Sequence, residues 1–315
     1  MKNRDETHSE LKKYPVKTTG STFYIGDVDV TSVHEQIHFS GKMTTEIFMS
    51  MPRSIISMIR SVESSFRIAE KKWGTTRLTE EIVTLEGMSS VKMRVLLNTL
   101  LATSIYDPKD KDPRESLGQW GLDKNYLEIG CASGSTFISA MYKNDAVIKS
   151  SYVCDMFTKN KNDKFGKDIF LENCLTHLGS IPTLFDEDCF SLDLSKIKEK
   201  INVYFFDGPH GIEDHRKALT YFEDVFDDQV IVVIDDWNDH RVQVGTILGL
   251  KEIDYDIMWW HQGPAHEHWG SFTDFPHKRS GISFDKNPSF GDSERYWNGV
   301  MVFVLKKRNV ENESA

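Results

Sequence analysis

The sequence has 315 residues, of which 39% are hydrophobic and 11% aromatic, which is enough to bury a large core. A formal net charge of −10 disfavours a nucleic-acid substrate, because phosphates would be repelled over most of the surface. We expect a soluble, cytoplasmic protein, since the sequence contains no signal peptide, no run near the roughly 20 apolar residues of a membrane span, and no C-x-x-C spacing.

Residues 1–77 are expected to form an N-terminal extension that is partly helical. Between Thr44 and Lys72, apolar side chains recur every three or four residues, which is typical of an amphipathic helix, interrupted near Pro52. This helix would pack against the main domain; alternatively, it would form a homodimer contact or a lid over a substrate. The main domain is expected over residues 78–308, followed by a polar tail at 309–315.

A second helix is predicted directly after Glu86-Gly-Met-Ser-Ser. Ser89 or Ser90 is a good N-cap for it, because a serine hydroxyl can accept a hydrogen bond from a free backbone N–H of the first turn. Its apolar side begins at Met93. The following polar stretch, Asp107 to Pro113, contains two prolines among charged residues and is predicted to be an exposed loop.

The central motif is a short apolar strand that ends in a glycine-rich turn and leads into a helix. Glu128 ends the strand, Gly130 and Gly134 form the turn, and Ser135 and Thr136 begin the helix. Glycines allow a sharp turn and a close approach of a ligand to the backbone, which suits a nucleotide-like molecule. The pattern is E-x-G-x-x-x-G and lacks the third glycine of a dinucleotide-binding turn. An ordinary tight turn is the alternative.

After this motif, strands and helices alternate as in a parallel sheet with helices on both faces. The two clearest strands, Val203–Phe206 and Val230–Ile234, are continuously apolar, as strands buried on both faces should be. A last strand near Gly299 to Lys306 is expected to run antiparallel to its neighbours. The predicted fold is a Rossmann-like, doubly wound α/β fold with a mostly parallel seven-stranded sheet.

Acidic residues follow most of the predicted strands. In an open α/β sheet the ligand binds at the carboxyl ends of the strands, so these acids are candidate site residues. Asp155 is placed to accept hydrogen bonds from ribose hydroxyls, and Asp188 to meet an adenine amino group. For each aspartate, a helix N-cap or a solvated turn is the alternative interpretation.

Asp207, Asp235 and Asp236 follow two adjacent strands and form a sharper pattern. Carboxylates brought together would repel one another unless a cation lies between them, and Mg²⁺ accepts such oxygens while keeping positions open for a substrate hydroxyl. His210, three residues after Asp207, has an ordinary pKa of about 6.5 that suits a general base. A turn residue is the alternative for His210.

Together these segments resemble the class I, S-adenosylmethionine (SAM)-dependent methyltransferases over residues 78–308. The resemblance rests on Glu86-Gly-Met-Ser-Ser, Tyr126-Leu-Glu-Ile-Gly with Gly-Ser-Thr, Phe206-Asp-Gly-Pro-His, Ile234-Asp-Asp-Trp-Asn and Tyr296-Trp-Asn-Gly-Val. It implies a SAM cofactor. The cofactor contacts that it implies are Ser89, Ser90, Glu128, Gly130, Ala132, Gly134, Ser135, Thr136, Asp155 and Asp188.

The aspartates at 207, 235 and 236 are similar to the Mg²⁺ triad of catechol and macrolide-sugar O-methyltransferases. The catechol enzymes have a lysine base where this sequence has His210. In the sugar enzymes an acid lies near the same turn, where this sequence has Pro209. The resemblance therefore implies a divalent metal at Asp207, Asp235 and Asp236, with His210 and Asp207 in catalytic roles, and leaves the identity of the base open.

We therefore expect a SAM-dependent O-methyltransferase, assisted by a divalent metal, acting on a sugar, a polysaccharide or another small-molecule hydroxyl. Two alternatives are a nicotinamide-dependent oxidoreductase and a non-catalytic SAM-binding subunit. The segment 261–298, rich in His and Trp, could form a substrate lid or, through His266 and His268, a zinc site.

Overall fold

The computed structural model describes residues 10, 12–40, 45–70, 76–102, 123–157, 166–263, 296 and 299–308. The predicted loop at 107–113, the zinc hypothesis at His266 and His268, and nearly all of 264–298 lie outside these residues. The strands of the described part are β1 Val16–Thr19, β2 Thr22–Ile25, β3 Val28–Asp29, β4 Lys124–Ile129, β5 Ile148–Cys154, β6 Thr183–Phe185, β7 Ile201–Phe206, β8 Phe226–Asp235, β9 Tyr255–Gly263 and β10 Val300–Lys307. The helices are α1 Thr31–Ser40, α2 Thr45–Ser50, α3 Arg53–Ala69, α4 Glu80–Val83, α5 Val91–Leu101, α6 Ser135–Met141, α7 Lys167–Leu178, α8 Ile212–Thr220 and α9 His240–Glu252.

The main sheet has seven strands in the order β6-β5-β4-β7-β8-β10-β9. Strands β4 to β8 pair in parallel, whereas β10 lies antiparallel between β8 and β9. The chain reverses its direction of travel across the sheet between β4 and β7, which is the switch point where α/β sheets bind ligands. The Rossmann-like fold with its antiparallel last strand is confirmed.

Helices cover both faces of this sheet, so the central strands are apolar on both sides. In β7, Tyr204 and Phe206 belong to one hydrophobic cluster, whereas Val203 and Phe205 belong to the other. The first cluster includes side chains of α1, α8 and α9, and the second includes those of α3, α5, α6 and α7. This burial on two sides explains the continuous apolar runs in the sequence.

The N-terminal region shares both clusters with the sheet. Ile25 and Ile37 lie in the first cluster, and Ile55, Ile59 and Phe66 of α3 lie in the second. The interruption of the amphipathic pattern is the break between α2 and α3 at Pro52. Because the apolar side of α3 packs on this chain's own core, the predicted homodimer contact through this helix would have to use its polar side.

Two features of the N-terminal region were not predicted. The strands β1, β2 and β3 form a small antiparallel meander, and α1 follows it. Trp260 of β9 donates its indole N–H to the Ile37 carbonyl of α1 at 2.8 Å, so α1 covers the edge of the main sheet. None of the described helices is both long and apolar enough to cross a membrane.

Candidate functional site

The centre of the site is a close contact between the glycine turn after β4 and the end of β7. Gly130 has a φ of +83°, and a Cβ built on it would lie 2.0 Å from the backbone oxygen of Asp207. The backbone N–H of Asp207 donates to the Ile129 carbonyl at 2.9 Å, and that of Gly130 donates to the Cys154 carbonyl at 2.9 Å. The turns after β4, β5 and β7 therefore meet at the switch point.

The second glycine shapes the start of α6. Gly134 is the N-cap residue with a φ of +90°, and a Cβ there would lie 2.9 Å from Phe170. Glu128 is fully buried and accepts hydrogen bonds from Tyr126 Oη at 2.6 Å and Thr136 Oγ1 at 2.5 Å. Burial raises the pKa of Glu128 to about 8. Glu128 and Thr136 thus bind each other in the core beneath the turn.

Residues 86–90 lie across the start of α6. A Cβ on Gly87 would lie 2.0 Å from Ser135 Oγ, and Ser133 Oγ donates to the Glu86 carbonyl at 2.6 Å. Ser90 caps α5 as predicted, accepting from the Met93 N–H at 3.1 Å. Ser89 Oγ lies 3.3 Å from Ser135 Oγ, so the segment at residues 86–90 is a neighbour of the glycine motif.

Arg94 holds this segment in place. Its guanidinium is fully buried and donates to Ser89 Oγ at 2.9 Å and to the carbonyls of Val83 and Leu85 at 2.9 and 2.8 Å. Burial lowers the pKa of Arg94 to about 10, which leaves it charged at neutral pH. Arg94 was not predicted as a site residue, although a charged residue in a mostly apolar helix was a usable signal.

Asp155 and Asp188 both bind backbone N–H groups. Asp155 accepts from Ala132 at 2.8 Å and from Phe157 at 2.8 Å, so it ties the end of β5 to the glycine turn. Both Ala132 and Phe157 have positive φ angles, of 48° and 38°. Asp188 is exposed and caps a short 3₁₀ turn by accepting from the Phe190 N–H at 3.1 Å. Their roles toward ribose and adenine stay predictions.

Two carboxylates and an imidazole form a compact group beside the turn. His210 Nε2 lies 2.9 Å from Asp236 Oδ2 and 3.7 Å from Asp207 Oδ1. One donor atom of each of the three residues lies within 4.8 Å of the others. We call Asp207, His210 and Asp236 the edge cluster. The structure thus brings together two of the three predicted metal ligands, with His210 between them.

Asp235 is not a member of the edge cluster, although its charge interacts with it. Asp235 Oδ1 accepts from the Asp236 N–H at 2.8 Å, and Asp236 has a φ of +53°, so the backbone turns sharply between the two acids. Burial, together with the charges of Asp207 and Asp236, raises the pKa of Asp235 well above its ordinary value. The predicted triad of Asp207, Asp235 and Asp236 stays a prediction.

The edge cluster holds its own positive charge when no other cation is bound. Burial by itself would lower the pKa of His210. Hydrogen bonds and charges from Asp207 and Asp236 outweigh this effect, so the pKa is raised from its ordinary value to about 10. Burial raises the pKa of Asp207 to about 6. At neutral pH, His210 is then an imidazolium without a free lone pair, which disfavours the predicted role of His210 as a general base.

A cleft opens beside the edge cluster. Together with the open solvent at its mouth it has about 240 Å³ of empty space, and it is lined by Met88, Ser89, Ser90, Met93, Asp235, Asp236 and Tyr296. Met88 is 61% exposed, whereas Tyr296 is only 1% exposed. The Tyr296 hydroxyl has no hydrogen-bond partner within the described residues. Tyr296 belongs to a motif named above but was assigned no role from the sequence, because only the fold brings it into one cleft with Ser89 and Ser90.

Comparisons with known proteins give a similarity of fold. No protein-family model and no curated protein matches the sequence. The SAH-bound methyltransferase PaMTH1 of Podospora anserina is similar over 82% of this chain and 89% of its own, with 12% identity and a TM-score of 0.41. A putative caffeoyl-CoA O-methyltransferase from Staphylococcus aureus is similar over 57% of this chain and 75% of its own, with 12% identity and a TM-score of 0.35.

TrmN from Thermus thermophilus is similar over 59% of this chain, with 11% identity and a TM-score of 0.35. This chain spans only 45% of the length of TrmN. At these identities and TM-scores the similarities assign no function to this chain. The function has to come from the residues of the site.

Proposed function

We propose that this protein is a SAM-dependent O-methyltransferase that transfers a methyl group to the hydroxyl of a sugar or another small molecule. The observation that carries the proposal is the contact between Gly130 and the Asp207 backbone at the switch point of the sheet. It brings a glycine turn suited to a nucleoside next to a group of carboxylates suited to a reacting hydroxyl.

The SAM side consists of the turn from Gly130 to Gly134 and the acids on the neighbouring strands. The carboxylate of Asp155 accepts two backbone N–H groups, but each of its oxygens has a second lone pair with which to accept a ribose hydroxyl. Ser89 and Ser135 lie together at the start of α6, where the cofactor's polar end would lie. Glu128 supports the turn from beneath through Thr136.

The donor set of the edge cluster fits a divalent metal ion. Asp207 and Asp236 offer carboxylate oxygens, and His210 lies between them. A bound ion would lower the pKa of a coordinated acceptor hydroxyl. Asp235 lines the cleft and is our candidate proton acceptor, because its carboxylate borders the space that the acceptor hydroxyl would occupy.

In the proposed reaction, the acceptor oxygen forms a bond to the methyl carbon of SAM. The carbon–sulfur bond breaks with its electron pair going to sulfur, which gives S-adenosylhomocysteine (SAH), and the hydroxyl proton goes to a carboxylate. The residues of this chain contribute chiefly by orienting the hydroxyl toward the methyl group. The cleft walls, which are acidic at Asp235 and apolar at Met88 and Met93, suit an acceptor with a polar and an apolar end.

The proposal is tested by binding and by turnover. We expect the protein to bind SAH and not NAD⁺ in calorimetric titrations, and to transfer labelled methyl from SAM to a member of a panel of nucleotide sugars and phenols. Tight NAD⁺ binding without SAH binding would favour the oxidoreductase alternative. Methylation of RNA in preference to the panel would overturn the proposed acceptor class.

The non-catalytic alternative predicts SAH binding without turnover. We expect Asp207→Asn to retain SAH binding and to lose turnover. The control is Asp228→Asn, an exposed aspartate near the opposite end of β8, which should retain both. Equal turnover in the two variants would remove the edge cluster from the mechanism.

A further inference from the structure

We propose that His210 is a metal ligand rather than the general base, and that Asp207, His210 and Asp236 form a site that prefers first-row transition-metal ions to Mg²⁺. This inference rests on the metal assistance within the proposed function. It replaces the all-carboxylate triad expected from the sequence with a set of two oxygens and one nitrogen.

The distances within the edge cluster fit ligands of one ion. Two donor atoms that each lie about 2.1 Å from an ion, at a right angle, are about 3 Å apart. His210 Nε2 lies 2.9 Å from Asp236 Oδ2 and 3.7 Å from Asp207 Oδ1. The first distance corresponds to a right angle between the two ligands at the ion, and the second to a wider angle. The same nitrogen faces both carboxylates, so the imidazole needs no reorientation to share an ion with them.

Asp235 is less well placed to take the third position. Its Oδ1 accepts the N–H of Asp236 at 2.8 Å, and its carboxylate lies outside the group whose donor atoms are all within 4.8 Å of one another. Asp236 has a positive φ, so the backbone turns sharply directly after Asp235. Asp235 lines the cleft together with Asp236, so its carboxylate stays available to the acceptor.

An independent observation indicates that a ligand belongs next to this cluster. Asp236 borders the cleft that Tyr296 also lines, and Tyr296 is a side chain that is 1% exposed and whose hydroxyl has no partner within the described residues. A buried hydroxyl without a partner is costly, and such groups call for an explanation. A molecule that occupies the cleft beside the ion would supply that partner.

The chemistry of the donors sets the preference. Mg²⁺ is a hard ion that takes oxygen ligands, whereas an imidazole nitrogen binds first-row transition ions more tightly. Along this series, affinity for a mixed nitrogen and oxygen site rises from Mn²⁺ to Cu²⁺ and falls again at Zn²⁺, which still binds more tightly than Mn²⁺. We therefore expect Zn²⁺ to bind most tightly, Mn²⁺ less tightly and Mg²⁺ most weakly.

The test uses the full chain stripped of metal and titrated with MnCl₂, with free Mn²⁺ measured by electron paramagnetic resonance. We expect one site per chain, with Mg²⁺ competing at least about tenfold more weakly than Mn²⁺. Electron spin-echo modulation of bound Mn²⁺ should show a directly coordinated imidazole nitrogen. Bound Mn²⁺ without nitrogen modulation, or with equal affinity for Mg²⁺, would overturn the inference, and this readout requires no variant.

Variants then separate the two candidate third ligands. We expect His210→Gln to abolish the nitrogen modulation and to weaken Mn²⁺ binding about tenfold or more, with a smaller effect of Asp235→Asn. His177→Gln, which changes a histidine paired with Glu81, should change neither. Loss of Mn²⁺ binding in Asp235→Asn with full binding in His210→Gln would refute the assignment.

SAH titration of the same samples distinguishes failure of the proposed metal site from failure of the proposed SAM-dependent function. A chain that binds SAH but no metal refutes the metal site and leaves the SAM-dependent activity standing. A chain that binds Mn²⁺ with nitrogen modulation but no SAH refutes the proposed function and leaves the site standing. Retained SAH binding also shows that each variant is folded.

Discussion

Replacing Gly130 by alanine tests whether the glycine turn and the end of β7 form a single site. The new Cβ would lie 2.0 Å from the backbone oxygen of Asp207 and 2.7 Å from its carbonyl carbon, whereas real Cβ contacts are essentially never under 3.0 Å. Backbone atoms cannot rotate away as a side chain does. The Asp207 carbonyl would therefore have to move by about 1 Å, enough to misplace reacting groups.

Backbone strain and the collision with Asp207 both destabilise Gly130→Ala. A second glycine, where only the strain applies, allows the two contributions to be measured separately. An alanine at a φ of +83° is strained by about 1 to 2 kcal/mol, and the collision adds about 1 to 3 kcal/mol. Gly179, at the C-terminus of α7, has a φ of +70°, and a Cβ there would meet nothing within 4 Å. Gly179→Ala should therefore be destabilised by the backbone strain alone, whereas Gly130→Ala should be destabilised by the strain and the collision.

The free energies of unfolding can be measured by urea denaturation, with SAH binding measured by calorimetry. We expect Gly130→Ala to lose about 2 to 5 kcal/mol and Gly179→Ala about 1 to 2 kcal/mol. Losing one hydrogen bond to the ligand, at about 1.4 kcal/mol, should weaken SAH binding about tenfold in Gly130→Ala and leave Gly179→Ala unchanged. Equal losses in the two variants would show that the contact with Asp207 is not rigid.

Three further changes test other parts of the site. Arg94→Leu leaves the carbonyls of Val83 and Leu85 without their donor, so we expect the free energy of unfolding to fall by at least about 3 kcal/mol. We also expect faster amide exchange at residues 86–90; unchanged exchange would show that Arg94 does not hold this segment. Burial lowers the pKa of His215 to about 3, so the unfolded chain binds a proton below about pH 6.5 that the folded chain does not. Stability should therefore fall as the pH drops from 6.5 toward 3, by about 2 kcal/mol near pH 5, and His215→Leu should remove this share of the slope in urea titrations at several pH values. Tyr296→Phe should leave the free energy of unfolding unchanged or slightly higher, because the hydroxyl has no partner to lose among the described residues; a loss above about 1 kcal/mol would reveal one elsewhere in the chain.

The sheet could be predicted because local patterns carry its information. Continuous apolar runs such as Val230–Ile234 indicate strands buried on both faces, and Ser90 capped the predicted helix as a serine N-cap should. The meander of β1 to β3 escaped prediction. Its strands are two to four residues long, and Ile25 is the one buried residue in them, so they leave no clear apolar period.

The site shows where local patterns stop being informative. Strand ends at one edge of a sheet are predictable neighbours, so the chain itself indicated that Asp207 and Asp236 would meet. The direction of each carboxylate was not predictable, because it depends on the positive φ of Asp236. In the structure both Asp235 and Asp236 line the cleft, and His210 Nε2 lies 2.9 Å from Asp236 and 3.7 Å from Asp207.

The sequence by itself determined the class of fold, the alternation of strands and helices after the glycine motif, and the edge of the sheet that carries the acidic residues, because apolar periodicity and turn chemistry are local properties. Only the tertiary structure decided which groups share one small volume. Arg94, Tyr296 and His210 reach the site from separate segments, and their burial and hydrogen bonds exist only once the sheet and its covering helices have packed.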